Sequence, residues 1–154
     1  MNIFSQVATT LLGLLAGGMV LLALGLVPYW RSLDPVEFTP VFATSLPTVG
    51  GTMILLTILG TGTICLAAGL AAWKKQPSRH WLIGGAASAL IMLVTVPFYF
   101  GAANPLLAGG TLSAAEITAE LAKWQQMHWF RTIVGVLGLF CAIRAGYIKS
   151  GNIK

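Results

Sequence analysis

The chain has 154 residues, of which 56% are hydrophobic and only 8% are charged, and its mean hydropathy is +0.84. A soluble domain carries about 25% charged residues, so this composition argues against a soluble protein and predicts an integral membrane protein. The net charge of +5 does not indicate nucleic-acid binding, because six of the nine basic residues lie at predicted helix ends on one membrane face. We therefore expect no nucleic-acid partner.

Four apolar runs follow one another along the chain, each close to the 20 or so helical residues that cross a hydrocarbon core. They predict an all-α fold, an integral membrane four-helix transmembrane bundle that forms one domain over residues 1–154. The predicted spans are roughly 7–27, 51–73, 81–100 and 124–146. No Lys or Arg precedes the first run, so the basic region of a cleaved signal peptide is missing, which favours a retained helix.

The predicted helix boundaries depend on a few local signals. Ser45 and Pro47 indicate the start of the second helix, and Pro97 lies near the end of the third. The pattern Ser113-Ala-Ala-Glu116 is a capping box, so we expect a fourth helix from Ser113 to about Tyr147, roughly 50 Å long. This leaves two long connections, at about 28–50 and 101–123.

The charged residues predict the orientation of the bundle. The face with the turn between the second and third helices and the C-terminal end has no acidic residue and six basic ones: Lys74, Lys75, Arg79, Arg144, Lys149 and Lys154. The opposite face mixes both signs: Arg31, Lys123, Arg131, Asp34, Glu37, Glu116 and Glu120. By the positive-inside rule we expect a multi-pass protein with both termini in the cytoplasm and the two long connections outside.

Neither the cysteines nor the histidines predict a metal site. Cys65 and Cys141 each lie inside a predicted helix, and without a C-x-x-C motif they are expected to be buried apolar residues. His80 lies beside Lys75 and Arg79, where a plain interfacial role is expected. Two histidines without an acidic cluster at ligand spacing do not make a metal site, and nucleotide-binding motifs are missing. We expect no metal and no cofactor.

The most informative polar residues lie on the fourth predicted helix. Spacings of 4, 4 and 3 place these residues on one helical face: Glu120, Trp124, His128 and Arg131. Ionisable groups at membrane depth are costly and are functional candidates. We expect the last three to face the bundle interior and to approach Asn104, which follows the third span. Each also has a structural interpretation, as a snorkelling cation, an interfacial histidine, an aromatic-belt residue or a turn residue, or, for Glu120, as part of a solvated helix face.

Two segments of this region resemble a known family. Pro97, followed by Asn104-Pro-Leu-Leu107 and then by Trp124-x-x-x-His128-x-x-Arg131, is similar to the motifs of the anthrone oxygenase-like (DUF1772) family of small four-helix membrane proteins. Characterised fungal members oxidise anthrones to anthraquinones without a metal or flavin. The resemblance implies a cofactor-independent oxygenase whose substrate is a planar, lipophilic phenolic or anthrone-like molecule.

Each candidate residue would have a role in such an oxygenase. His128 would be the general base, and Arg131 and Asn104 would stabilise the developing oxyanion. Trp124, Tyr99 and Phe98 would stack on the substrate ring. Glu120 would orient His128 or pair with Arg131.

Two other classes of protein stay open. The same polar cluster suits a non-catalytic accessory subunit, or a module that binds a lipid or a quinone-like molecule. A small transporter is less favoured, because only one deep ionisable cluster is visible and no relay crosses to the cytoplasmic side. Beyond the lipid bilayer, the expected partner is a lipophilic aromatic or quinone-like small molecule. A homo-oligomer or a larger membrane complex stays open as well.

Overall fold

A computed structural model describes residues 3–150 of the protein and the side chains of residues 3–148. Within that range the chain forms helices and no strands, as the all-α prediction requires: α1 (Ile3–Ser32), α2 (Pro35–Trp73), α3 (Arg79–Ala108) and α4 (Ala114–Ser150). Each of these helices is long and apolar enough to cross a membrane. The prediction of four such helices is confirmed.

The helices form a closed ring in which each packs against the next and α4 returns to α1. The α3–α4 contact is close because small residues face each other. A Cβ added to Gly138 would lie 2.9 Å from the Cβ of Ser88, and one added to Gly85 would lie 3.4 Å from the Gly138 carbonyl oxygen. Small residues let helix backbones approach in this way and increase dispersion contacts between them.

The two ends of the bundle differ in charge. The end with the turn at 74–78 we call the basic end, since Lys74, Lys75 and Arg79 lie there and Arg144 of α4 packs over the Trp81 ring, 5.5 Å from its centroid. The other end, with the connections 33–34 and 109–113, we call the site end. Of the residues used to predict orientation, Lys154 and the Lys149 side chain lie outside the described part of the chain.

The second helix begins earlier than predicted. Asp34 caps it by accepting a hydrogen bond from the Val36 amide at 2.9 Å, and Pro35 occupies its first turn. The predicted start near Ser45 and Pro47 is therefore wrong, and the expected connection at 28–50 is almost entirely helical.

Two prolines lie inside α2, and one of them indicated a helix start in the sequence. Pro40 and Pro47 both lie within the helix. Proline has no amide hydrogen, so each leaves the carbonyl one turn earlier without its helical donor, which a helix packed in a bundle tolerates. Residues 101–108 are helical too, so the connection expected at 101–123 shrinks to 109–113.

The start of α4 is confirmed as predicted. The Ser113 hydroxyl accepts from the Glu116 amide at 3.4 Å, while the Glu116 carboxylate accepts from the Ser113 amide at 2.8 Å. These reciprocal bonds make a capping box and satisfy amides that the first turn leaves without helical partners. The helix then continues beyond the expected end at Tyr147, to Ser150.

Two π-helical turns interrupt the helices near the site end. One covers Leu22–Leu26 in α1, where the Val27 amide donates to the Leu22 carbonyl, and the other covers Val96–Phe100 in α3. A proline accompanies each turn, Pro28 in the first case and Pro97 in the second. Because proline lacks the amide hydrogen and clashes with the preceding turn, the helix widens locally by one residue.

Candidate functional site

A cavity of about 280 Å³ lies among the four helices towards the site end. Met19 and Leu22 line it from α1 and Phe42 and Met53 from α2, and α3 and α4 contribute an amide, an imidazole and a guanidinium side chain: Asn104, His128 and Arg131. The volume is close to the lower limit of typical small-molecule sites, about 300 Å³. The walls are apolar with a few polar groups, as in sites that orient one lipophilic ligand.

Trp124 is the centre of an aromatic cluster at this cavity. Its ring meets Trp30, Phe42 and Phe100 edge-to-face, with centroid distances of 5.7, 6.3 and 5.4 Å. Its indole nitrogen donates a hydrogen bond to Asn104 Oδ1 at 2.8 Å. Edge-to-face contacts fix ring orientation, so this cluster forms a rigid wall rather than an adaptable one. The predicted approach of Trp124 to Asn104 is confirmed.

His128 is oriented by backbone and by Trp124. The side chain is buried, and its Nε2 lies 3.0 Å from the Met19 carbonyl oxygen of α1. A carbonyl only accepts, so Nε2 carries the hydrogen, and in the neutral ring Nδ1 has the lone pair that can take a proton. The imidazole stacks on the Trp124 indole at a centroid distance of 5.0 Å and an interplanar angle of 14°.

Arg131 lies buried one turn further along α4, with 6% of its surface exposed. Its guanidinium carbon is 4.7 Å above the centroid of the Phe100 ring. Its Nε and Nη2 atoms are buried without a hydrogen-bond partner among the described residues. A buried cation without a paired acceptor is energetically costly, so these N–H groups favour a ligand that brings an oxygen acceptor into the cavity.

The prediction that three residues of α4 face the bundle interior is confirmed, whereas Glu120 makes other contacts than expected. Trp124, His128 and Arg131 are all buried in the bundle. Glu120 instead accepts a hydrogen bond from the Tyr99 hydroxyl at 3.1 Å and pairs with Lys123 at 3.3 Å. The expectation that Glu120 orients His128 or pairs with Arg131 is therefore wrong.

The two residues expected to stack with Trp124 on a ligand do not line the cavity. Phe98 is 83% exposed, and the Tyr99 hydroxyl is occupied by Glu120. Phe100 takes their place at the cavity wall. Helix periodicity accounts for this, because Phe100 follows the buried Leu82 by 18 residues, or five turns of 3.6, whereas Phe98 lies on the opposite face.

Three further residues of the site were not predicted from the sequence. Trp30, Phe42 and the Met19 carbonyl come from α1 and α2, far in sequence from the α4 motif. Only Trp30 offered a signal, as a tryptophan near a helix end, and that signal is the same for any aromatic-belt residue.

A separate apolar groove lies beside the cavity, between α1 and α2. Its volume is about 510 Å³, and Gly18, Gly25 and Thr52 contribute to its lining. Leu22 and Met53 line both the groove and the cavity. The groove and the cavity are therefore neighbours that share part of their lining.

The described residues do not bring a set of metal ligands together. No group of three or more His, Cys, Asp or Glu side chains occurs over residues 3–150. The polar groups at the cavity are one imidazole, one guanidinium, one carboxamide and the Trp30 indole. They can move a proton and stabilise a negatively charged oxygen.

Comparison of the chain with models of protein families, with curated proteins and with solved structures finds no match.

Proposed function

We propose that this protein is a multi-pass integral membrane protein and a cofactor-independent oxygenase for a planar, lipophilic phenolic or anthrone-like substrate. One observation carries the proposal: a buried guanidinium with unpartnered N–H groups lies in an aromatic cavity one turn from a buried histidine. The helix lengths and hydropathies support insertion into a bilayer. The motif resemblance, from Pro97 to Arg131, supports the reaction class.

The cavity suits an aromatic molecule that bears an oxygen. The rings of Trp124 and Phe100 provide apolar surface for a planar ring system, and Arg131 offers N–H groups to a carbonyl or phenolate oxygen. Desolvation of Arg131 strengthens its interaction with a negatively charged oxygen relative to the same pair in water. The site therefore favours the enolate or phenolate form over the neutral substrate.

The reaction needs only a proton acceptor and molecular oxygen. Nδ1 of His128 takes a proton from the activated CH₂ of the anthrone, and Arg131 stabilises the resulting enolate oxygen. The carbanion carbon transfers electrons to O₂ and forms a C–O bond, and the returned proton gives a hydroperoxide. Loss of water leaves a second carbonyl, so anthrone and O₂ become anthraquinone and water.

The apolar groove between α1 and α2 favours a second candidate function. A protein that only binds a quinone-like or lipid molecule would use the same Arg131 donors for the carbonyl, with an apolar tail lying against Leu22 and Met53. In that case His128 would position helices through its bond to the Met19 carbonyl. Oxygen consumption distinguishes the two functions.

Substitution of His128 tests the proposed base. With purified protein in nanodiscs and an anthrone substrate, we expect His128→Ala and His128→Gln each to lower the rate of oxygen consumption about 10²–10⁴-fold. Glutamine can still donate to the Met19 carbonyl but cannot act as an effective base near neutral pH. The matched control is His80→Gln, because His80 is exposed at the basic end and contacts only Arg79 in the described hydrogen bonds.

Three outcomes would contradict the oxygenase. The first is full activity in a His128 variant, and the second is wild-type protein that consumes no oxygen with a panel of anthrones and hydroquinones. The third is one tightly held transition metal per chain by elemental analysis, lost in His128→Ala, which would replace the proposed chemistry with a metal mechanism. We expect no stoichiometric iron, copper or zinc.

A further inference from the structure

A second buried donor lies at the same cavity and was not part of the sequence prediction. Trp30 is 3% exposed, and its indole Nε1 is buried without a hydrogen-bond partner among the described residues. Trp30 lines the cavity together with Arg131. In the described part of the chain, the buried side-chain nitrogens that lack partners all belong to these two residues.

The surroundings of Trp30 explain why the protein itself does not satisfy this group. The ring packs edge-to-face against Phe38 at 6.5 Å and Phe42 at 4.9 Å, and it meets Trp124 as well. None of these neighbours has a hydrogen-bond acceptor in its side chain, and the Trp124 nitrogen is itself a donor that serves Asn104. Buried donors in folded proteins nearly always have a partner, so each exception requires an explanation.

The two unpartnered donors belong to different walls of the cavity. Arg131 packs on Phe100 of α3, whereas Trp30 packs on Phe38 and Phe42 of α2. Trp124 contacts both Trp30 and Phe100. Two separate donors need two acceptor oxygens, so a ligand with one oxygen leaves one of these donors unpaired.

We infer that the cavity recognises a planar aromatic ligand with two acceptor oxygens at separate ring edges, one bound by Arg131 and the other by the Trp30 indole N–H. This inference rests on the proposed function and specifies its substrate and product. The oxidation of an anthrone adds the second of these oxygens. Trp30 is then the residue that binds the newly formed carbonyl, and the site distinguishes the product from the substrate.

Three tricyclic probes of nearly equal shape test this assignment. Anthracene has no oxygen, anthrone has one, and anthraquinone has two at opposite ring edges. Binding to immobilised protein in nanodiscs is measured under argon, which prevents turnover, and empty nanodiscs give the background. The comparison uses ratios of affinity between probes, because the partition of each probe into lipid is the same for every variant.

Trp30→Phe preserves most of the ring packing and removes only the N–H group. In wild-type protein we expect anthraquinone to bind more tightly than anthrone, and in Trp30→Phe we expect this ratio to fall about tenfold, as for a lost hydrogen bond to a buried donor. The ratio of anthrone to anthracene should not change. The matched control is Trp81→Phe, because Trp81 lies at the basic end and packs edge-to-face with Phe140 at 6.0 Å.

A spectroscopic measurement on the unaltered protein gives an independent test. In protein labelled with ¹⁵N-tryptophan, anthraquinone should shift the Trp30 indole N–H resonance downfield and anthracene should not. The Trp124 indole N–H, already bonded to Asn104, serves as the internal comparison. This test applies even if Trp30→Phe fails to fold.

The results separate this inference from the oxygenase proposal. An unchanged probe ratio in folded Trp30→Phe, an anthraquinone complex without a Trp30 shift, or no binding of any probe would overturn the two-oxygen assignment. Selective binding of anthraquinone that depends on Trp30 would support it even if no oxygen were consumed, and then only the oxygenase would fail.

Discussion

His128 and Arg131 are neighbours on α4, yet their surroundings fit them for different chemistry. His128 has one nitrogen fixed by the Met19 carbonyl and its ring face covered by Trp124, so its geometry is determined before any ligand binds. Arg131 has its guanidinium over the Phe100 ring, and its Nε and Nη2 atoms have no hydrogen-bond partner among the described residues. A preorganised base beside an unsatisfied cation stabilises charge that develops on a ligand, not charge already present in the protein.

Arg131 provides a test that separates a functional cation from a structural one. We expect Arg131→Lys to lower oxygen consumption about 10²-fold, because lysine cannot reproduce the planar fork of donors. We expect Arg131→Met to abolish activity and to leave the melting temperature unchanged or higher, because removal of an unpaired buried charge removes a desolvation cost. Thermal unfolding and oxygen uptake are measured on the same nanodisc samples.

The matched control for this prediction is Arg144→Lys. Arg144 also packs over an aromatic ring, at Trp81, but it lies at the basic end and is exposed. Its substitution should leave activity unaltered. A large fall in the melting temperature of Arg131→Met, with activity retained in Arg131→Lys, would make Arg131 a structural residue.

The sequence was sufficient to predict the residues that α4 contributes to the site but not the aromatic residues that the other helices contribute. Trp124, His128 and Arg131 share one face of one helix, so their spacing alone predicted their common burial. Trp30 and Phe42 reach Trp124 only through packing of α1 and α2 against α4, which no local pattern encodes. Phe100 could have been predicted, because a 3.6-residue period places it on the same face of α3 as Leu82 and Ala89, which are buried.

At the scale of helices, apolar runs were easier to predict than helix ends. Hydropathy depends on about 20 residues together, whereas a boundary depends on two or three. Pro47 was interpreted as a start signal, but a proline inside a helix of a bundle is tolerated when hydroxyls and neighbouring helices compensate. The capping box at Ser113 was reliable because its two side chains satisfy amides that have no helical partner.

This capping box predicts a measurable contribution to stability. Ser113→Ala removes the hydroxyl that accepts from the Glu116 amide, and we expect a loss of about 1 kcal/mol. For a chain of this size that corresponds to a fall of about 2–4 °C in melting temperature. The matched control is Thr118→Ala, because the Thr118 hydroxyl is exposed and donates to the Ala114 carbonyl. An equal fall in the melting temperature of both variants would show that the capping bonds stabilise the protein no more than an ordinary exposed hydroxyl bond does.

At the scale of the molecule, the cavity and the cluster of basic residues without acidic partners lie at different ends. The basic end has Lys74, Lys75, Arg79 and Arg144 without a nearby acidic residue, whereas the cavity residues Asn104 and Trp124 lie towards the site end. The apolar groove between α1 and α2 lies beside the cavity and shares Leu22 and Met53 with it. We therefore propose that the substrate reaches His128 from within the bilayer, which suits a lipophilic aromatic molecule.

The charge asymmetry also predicts which membrane face holds the cavity. By the positive-inside rule the 74–78 turn should be cytoplasmic and the 109–113 connection external. We test this with Gln76→Cys and Thr111→Cys, each in a background where Cys65 and Cys141 are replaced by alanine, and with a membrane-impermeant maleimide. In intact cells Thr111→Cys should be labelled, whereas Gln76→Cys should be labelled only after permeabilisation. The reverse labelling pattern would show that the protein has the opposite orientation, with the cavity towards the cytoplasmic face.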